Sequence, residues 1–446
     1  MYIQSICLEN VRSFKSLEFN LERPGGGGAG WTVFVGGNSS GKTTILRSAA
    51  LALIGPDSGG RLISPASGWI QRGESKASAK LSLSWDPDHD RFKKAGKIPG
   101  DTFEAGVRWL IEEKGDEVPQ FRALGNSNPR KIRPQTPERG PWSLNAYGWF
   151  SAGYGPMRRL TGSSSEALRY SISREAESRF VTLFREDAAL SESEEWLRRM
   201  HARSLESESK QADIRTVLDG VQALMGDGLL PHGMKISRIT VDHVFVEDGG
   251  GLELPMRDIS DGCRSIYATI LDLVHGLYEV YGADGLFETD DHGRTVIARP
   301  GVVIIDEIEA HLHPSWQRDI PEWLKTHFPK IQFLVSTHSP LIAQAADPNG
   351  LFILPLQADD RQQARPATPA EYERIRWGTA HKTILGVAFG LQTTRTKWAS
   401  RQLKRWQELN AKDHEGVPLK PTEKRELKTL KQQLDLALDG APAETL

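Results

Sequence analysis

Gly36-Gly37-Asn38-Ser39-Ser40-Gly41-Lys42-Thr43 decides the fold. The octet matches G-x-x-x-x-G-K-[ST]. It stands between the apolar, β-branched run WTVFV (31–35) and the segment TTILRSAALALIG, whose apolar residues recur at helical spacing. Glycines in a strand–loop–helix turn let successive backbone N–H groups curl around phosphates, and the helix N-terminus adds its positive dipole end. Lys42 then neutralises the β and γ phosphates, and the Thr43 hydroxyl takes a Mg²⁺ ion. Gly36, Asn38, Ser39, Ser40, Gly41 and Thr44 complete the expected nucleotide-binding stretch. A chance Gly/Ser loop before a helix is the competing explanation; the strand and helix on either side argue against it.

Three further segments fit the same chemistry. GVVIIDEIEAHLHP (301–314) is an apolar strand ending in two carboxylates. Asp306 is placed to hold the Mg²⁺ shell and Glu307 to polarise the attacking water, both at the sheet's carboxyl edge. Taken alone, the segment also fits a buried parallel strand capped by acids. IQFLVST (331–337) leads into His338-Ser339-Pro340, one strand–helix–strand unit later, so His338 can reach a γ-phosphate from the same edge. A lone His there also fits a solvated strand end. Finally, Asp258-Ile259-Ser260-Asp261-Gly262-Cys263-Arg264-Ser265 opens a helix expected over 261–281. This makes a second phosphate-seeking helix N-terminus in one chain. One ATP does not need two such ends from one protomer, so Ser260, Asp261 and Gly262 fit a role over the γ-phosphate of a partner copy. A simple helix cap by Ser260 or Asp261 is the plainer alternative.

In this order the four motifs resemble those of the ABC ATPase superfamily, and within it the SMC/RecF/OLD branch. The resemblance covers residues 1–345. It implies an α/β P-loop NTPase: an ABC-ATPase head of mixed sheet plus flanking antiparallel sheet, with an α-helical insertion. It implies Lys42, Glu307 and His338 as catalytic residues, with ATP and Mg²⁺ bound. ISDGCRS resembles the LSDGYRS signature variant of bacterial defence ATPases, with Cys263 where an aromatic or Gln is usual. EAHLHP (309–314) resembles the D-loop region. LENVRSFKSLEF resembles the family's L-x-N-F-R-S-F strand, with Val11 replacing the aromatic; Arg12 there either approaches the nucleotide or turns into solvent. SAGYGPMRRL (151–160) resembles a Tyr-Gly-Pro-x-Arg segment at the Q-loop position.

The 446 residues suffice for two to three domains, or one large α/β domain carrying an insertion. A formal net charge of -2 argues against a constitutively basic nucleic-acid binder. Cys7 and Cys263 are the only cysteines and make neither a disulfide framework nor a zinc site. No apolar run of about 18 residues occurs, and the opening segment lacks a signal peptide's apolar stretch, so a cytoplasmic protein is expected. Residues 2–21 read as two strands, 79–86 and 103–113 as strands of a flanking sheet, and 235–254 as strand again. The expected layout is an N-terminal lobe over 1–165, a helical insertion over 166–232, a C-terminal lobe over 233–350 and a helical oligomerisation or partner-docking tail over 351–446.

Three classes of ABC-type ATPase compete. A transporter subunit is shorter, with its signature close behind the P-loop. A RecF/SMC-like repair ATPase acting on DNA directly needs a DNA surface; Arg158, Arg159, Arg169, Arg174 and the 129–139 loop are the candidates, although such charges are more often a solvated face. The third class is the ATPase of a two-gene anti-phage system. The compact ATPase, the signature variant and FGLQTTRTKWASRQLKRWQEL (389–409) resemble Septu-type and PARIS-type defence ATPases. That resemblance implies a homodimer or higher homo-oligomer controlling an HNH- or Toprim-type nuclease effector. No nuclease is expected in this chain: after His338 the only acidic pair following a strand is Asp359-Asp360, which fits a turn better. Trp377, Phe389, Trp398, Leu403 and Trp406, interleaved with Lys and Arg, fit a packing surface better than a nucleic-acid stacking platform.

Overall fold

Three buried parallel strands carry three of the four motifs and end at one edge of one sheet. In the computed structural model this sheet has six strands, in the order β16 (Arg365–Pro366), β15 (Leu351–Ile353), β3 (Gly30–Val35), β14 (Ile331–Thr337), β13 (Gly301–Ile305) and β7 (Ser151–Tyr154). All neighbours pair in parallel except β15 with β16. The structure describes the chain apart from residues 64–67, 94–96, 112–118, 125–135, 144–146, 159–175, 207–210, 231–232, 356–362, 387, 392 and 440–446. Parallel strands covered on both faces are expected to be apolar throughout, and β3, β13 and β14 are buried along almost their whole length. Register fixes the edge. Val35 lies opposite Thr337, and Ile305 opposite Val335, so the turns after all three strands open side by side.

A five-stranded antiparallel sheet flanks this core, in the order β2 (Phe14–Asn20), β1 (Tyr2–Val11), β4 (Lys76–Ser84), β5 (Thr102–Leu110) and β6 (Gln120–Ala123). One side chain stitches the two sheets together. Gln332 on β14 is fully buried; its amide accepts from Ile3 N at 2.7 Å and donates to Ile3 O at 2.8 Å. A buried amide is tolerated because both ends are bonded. Between the sheets runs the helix Lys42–Leu62, whose Ile45, Leu46, Ala49, Ala50 and Leu53 are buried. It kinks at Gly55 before Pro56 and then continues to Leu62.

Helices Ser191–Glu206 and Gln211–Gly226 follow β7 in the chain. The former packs on helix Asp261–Tyr281: Trp196 stacks on His275 at 4.8 Å, and Ser193 Oγ donates to Asp272 at 3.1 Å. The hydroxyl of Tyr154, at the end of β7, donates to the same carboxylate at 2.9 Å. Burial raises the Asp272 carboxyl to about 6 and lowers the His275 imidazole to about 4. A three-stranded antiparallel sheet, β8 (Lys235–Ile239), β9 (Val244–Glu247) and β10 (Glu253–Pro255), leads into this helix.

The chain divides into two compact units, Met1–Thr383 and Ile384–Leu446. The second contains helices Lys397–His414 and Pro421–Asp439. Thr396 caps the first, and Arg405 joins the pair by donating to Glu426 at 3.1 Å. Trp398 on this hairpin is exposed, whereas Leu409 is buried.

Candidate nucleotide site

After β3 the chain turns through the Gly-rich octet into the helix that starts at Lys42. Ser39 and Gly41 both adopt positive φ, 62° and 98°. Gly41 is required twice over: its φ disfavours a side chain, and a Cβ there would lie 2.4 Å from the Phe14 ring. The Lys42 ammonium is buried and donates to Gly36 O at 3.0 Å and Gly37 O at 2.9 Å. An ammonium has three donors, so one is left for a phosphate oxygen. Burial lowers the Lys42 pKa from its ordinary value, while Asp306, Glu307 and Glu309 push it back up. The Ser40 hydroxyl is buried without a partner among the described residues, an orphan a phosphate would satisfy. Asn38 and Ser39 are exposed at the loop tip.

Thr43 Oγ1 donates to Asp306 Oδ2 at 2.7 Å, which joins the P-loop helix to the end of β13. A hydroxyl and a carboxylate in contact are the hard oxygen donors that octahedral Mg²⁺ takes, completed by waters and substrate phosphates. Among the described residues no group of three or more His, Cys, Asp or Glu forms a protein-only metal cage. The hydroxyl of Thr43 and the carboxylate of Asp306 fit Mg²⁺ brought with a triphosphate. Ser336 Oγ, on β14, donates to Asp306 Oδ1 and accepts from Glu307 N at 2.8 Å, fixing the turn in which Glu307 adopts φ 46°.

His338 follows β14 and is exposed. Burial of part of the ring, then the Lys42 charge, lower its pKa from 6.5, so the imidazole is neutral at pH 7 and can both donate and accept. Its backbone N–H donates to Glu309 Oε1 at 2.5 Å, and Thr337 Oγ1 donates to Glu309 Oε2 at 2.7 Å. Glu309 thus ties the turn after β13 to the turn after β14. Its sequence signal was the EAHLHP resemblance alone, which assigned it no contact.

Arg12 sits at the turn between β1 and β2 with φ 52°. Its guanidinium lies 4.4 Å over the Trp69 ring and donates weakly to Thr44 Oγ1 at 3.4 Å. Of the two alternatives for Arg12, the structure gives a half-buried cation beside the P-loop helix, its pKa lowered by burial and then by Arg47.

Ser260 and Asp261 stand exposed at the start of helix Asp261–Tyr281. Their polar contacts stay on that helix. Ser260 Oγ donates to Cys263 Sγ at 3.0 Å rather than capping a backbone N–H, and Asp261 pairs with Arg264. The plain capping alternative for Ser260 is therefore not what the side chain does. Gly262 has no room for a side chain, since a Cβ would meet His311 O at 2.5 Å. The segment contributes none of the hydrogen bonds around Lys42 and Asp306.

Arg158 corrects an expectation. Read as a basic contact for DNA, it is 5% exposed and its guanidinium is spent on backbone carbonyls, Gly155 O at 2.9 Å and Asp306 O at 3.1 Å among them. Arg139 is likewise buried, donating to Lys93 O and Lys97 O. Arg159, Arg169, Arg174, residues 129–135 and Asp359-Asp360 lie outside the described residues.

Over residues 31–343 the chain matches the family described as "AAA domain, putative AbiEii toxin, Type IV TA system". The Septu protein PtuA of Bacillus mycoides (strain KBAB4) is 25% identical over 343 residues, 76% of this chain and 38% of that protein. The Retron Ec83 probable ATPase of Escherichia coli is 31% identical over 121 residues, 27% of this chain and 20% of that protein. The chain thus spans well under half the length of these curated relatives. An SMC head crystallised bound to the C-winged helix domain of ScpA matches with a TM-score of 0.48 at 14% identity, over 82% of this chain and 98% of that one. The family match takes in the P-loop, the Ser260 helix, the Asp306-Glu307 strand and His338. The chain belongs to this AAA-domain family and is similar to ATPases of bacterial defence systems.

Proposed function

We propose that the protein binds and hydrolyses ATP at a pocket shared by two copies, and that this cycle controls a partner effector in anti-phage defence. The observation that carries the first half is the convergence of Lys42, Thr43, Asp306, Glu307 and His338 at one sheet edge, with Thr43 and Asp306 in contact. Lys42 and the loop N–H groups hold the β and γ phosphates. Thr43 and Asp306 would hold Mg²⁺, which when bound supplies charge neutralisation on the phosphate oxygens. Glu307 takes the proton of the attacking water, and His338 holds the γ-phosphate. Ser260, Asp261 and Gly262 of a second copy close over it: Ser260 is exposed and no side chain caps this helix N-terminus, which suits a phosphate from another chain.

The second half is supported by the names of the relatives, a Septu protein and a retron ATPase. The effector expected is an HNH- or Toprim-type nuclease encoded nearby, with no nuclease in this chain. Cytoplasmic residence is part of this proposal. Among the described residues no helix is long and apolar enough to cross a membrane.

A shared pocket makes turnover depend on protein concentration. ATPase activity per chain is expected to rise with concentration and level off once dimers are saturated. Constant activity per chain across a dilution series from micromolar to low nanomolar, with the mass staying that of one chain, would remove the two-copy pocket.

A further inference from the structure

We propose that Arg158 is the positioning residue that sets Glu307 for catalysis, by clamping the backbone of the turn that carries it. This rests on the role given to Glu307 above. The guanidinium gathers four carbonyls. Nη1 donates to Gly155 O at 2.9 Å and Asp306 O at 3.1 Å, and Nη2 to Glu307 O at 3.2 Å and Ile308 O at 3.1 Å. Three successive carbonyls, 306 to 308, therefore point at one cation. Carbonyl dipoles aligned this way repel each other, and the guanidinium at their focus relieves that repulsion. Glu307 sits in the middle at φ 46°, a conformation a non-glycine residue holds only when its surroundings impose it.

No hydrogen bond holds the Glu307 carboxylate among the described residues, so its aim is set by its backbone. That backbone is gripped from two sides: Ser336 Oγ accepts the Glu307 N–H at 2.8 Å, and Arg158 takes the carbonyl. Arg158 is anchored in turn to Gly155, directly after β7, so it also locks the end of that strand to the end of β13. Its charge has a second use. Glu309, Asp306 and Glu307 are its acidic neighbours, and with Lys42 it balances three carboxylates crowded on one turn. The site is buried enough to pull even this guanidinium down to about 10, still fully charged at neutral pH.

Lysine cannot replace this clamp. An ammonium is a single point with three donors, whereas the planar fork spans carbonyls from four residues. The test compares the full-length wild type with R158K and R158A, measuring Kd for a non-hydrolysable ATP analogue with Mg²⁺ and steady-state kcat and KM. The P-loop is untouched, so analogue Kd for R158K is expected within about twofold of wild type, while misaiming Glu307 lowers kcat by roughly 10²-fold. R158A is expected to recover part of its lost kcat in millimolar guanidinium, far below denaturing concentrations, with its melting temperature unchanged by the additive. Wild-type kcat in R158K overturns the proposal, as does analogue affinity that falls in step with kcat. Full turnover in Glu307→Gln overturns the underlying role of Glu307 instead, so the two failures are told apart.

Discussion

Lys42→Ala is expected to abolish measurable ATP binding while leaving the fold intact. The ammonium holds the loop by two carbonyls, Gly36 O and Gly37 O, and has one donor to spare. Charge-assisted hydrogen bonds contribute roughly 1.5–3 kcal/mol each. Losing the one such bond left for a phosphate, together with the positive charge, should weaken ATP by at least about 10²-fold. The loop itself has other supports, among them the Gly41 turn and the Thr43–Asp306 hydrogen bond. Titration calorimetry with ATP and Mg²⁺, beside a thermal melt of both proteins, checks this. Unchanged affinity would refute the phosphate cradle; a collapsed melting temperature would show that Lys42 is structural.

Glu307→Gln is expected to keep ATP bound and lose turnover. The substitution preserves shape and leaves the backbone grip from Ser336 and Arg158 in place. It removes the carboxylate assigned above to take a proton from the attacking water. General-base loss costs about 10² to 10⁴-fold in rate, so kcat should fall that far with Kd for ATP unchanged. With hydrolysis blocked, the ATP-loaded dimer should accumulate and be visible as a doubled mass. Equal turnover to wild type excludes Glu307 as the catalytic carboxylate.

The parts of this site that sequence reveals are those made by neighbours in the chain. The octet, β13, β14 and helix Asp261–Tyr281 announce themselves through apolar runs closed by Gly, Asp-Glu, Thr-His or Ser, and each lies where its pattern placed it. The P-loop helix was harder to end. Its pattern stops at Gly55-Pro56, yet helix resumes beyond the kink because Leu62 still has a core to pack into. Glu309 gave little warning, since the groups it bonds lie 28 and 29 residues on, at the end of another strand. Arg158 fits neither a DNA contact nor the solvated face that is more usual for such charges. Arginine is usually a surface residue, and only the folded turn after β13 supplies the carbonyls that draw it inside. Gln332 belongs to the same class: a polar residue in an apolar strand, explained by the backbone of Ile3.

Mixing two crippled chains tests the shared pocket most directly. Lys42→Ala removes the phosphate grip, and Ser260→Glu places a negative charge at an exposed helix start, where the dipole tolerates it but a γ-phosphate does not. Each chain alone should be inactive. In a two-fold dimer of one of each, one pocket loses both parts and the other keeps both, so an equal mixture should regain about a quarter of wild-type ATPase activity. A mixture no more active than its two components, or full turnover by the Ser260→Glu chain alone, would contradict the account.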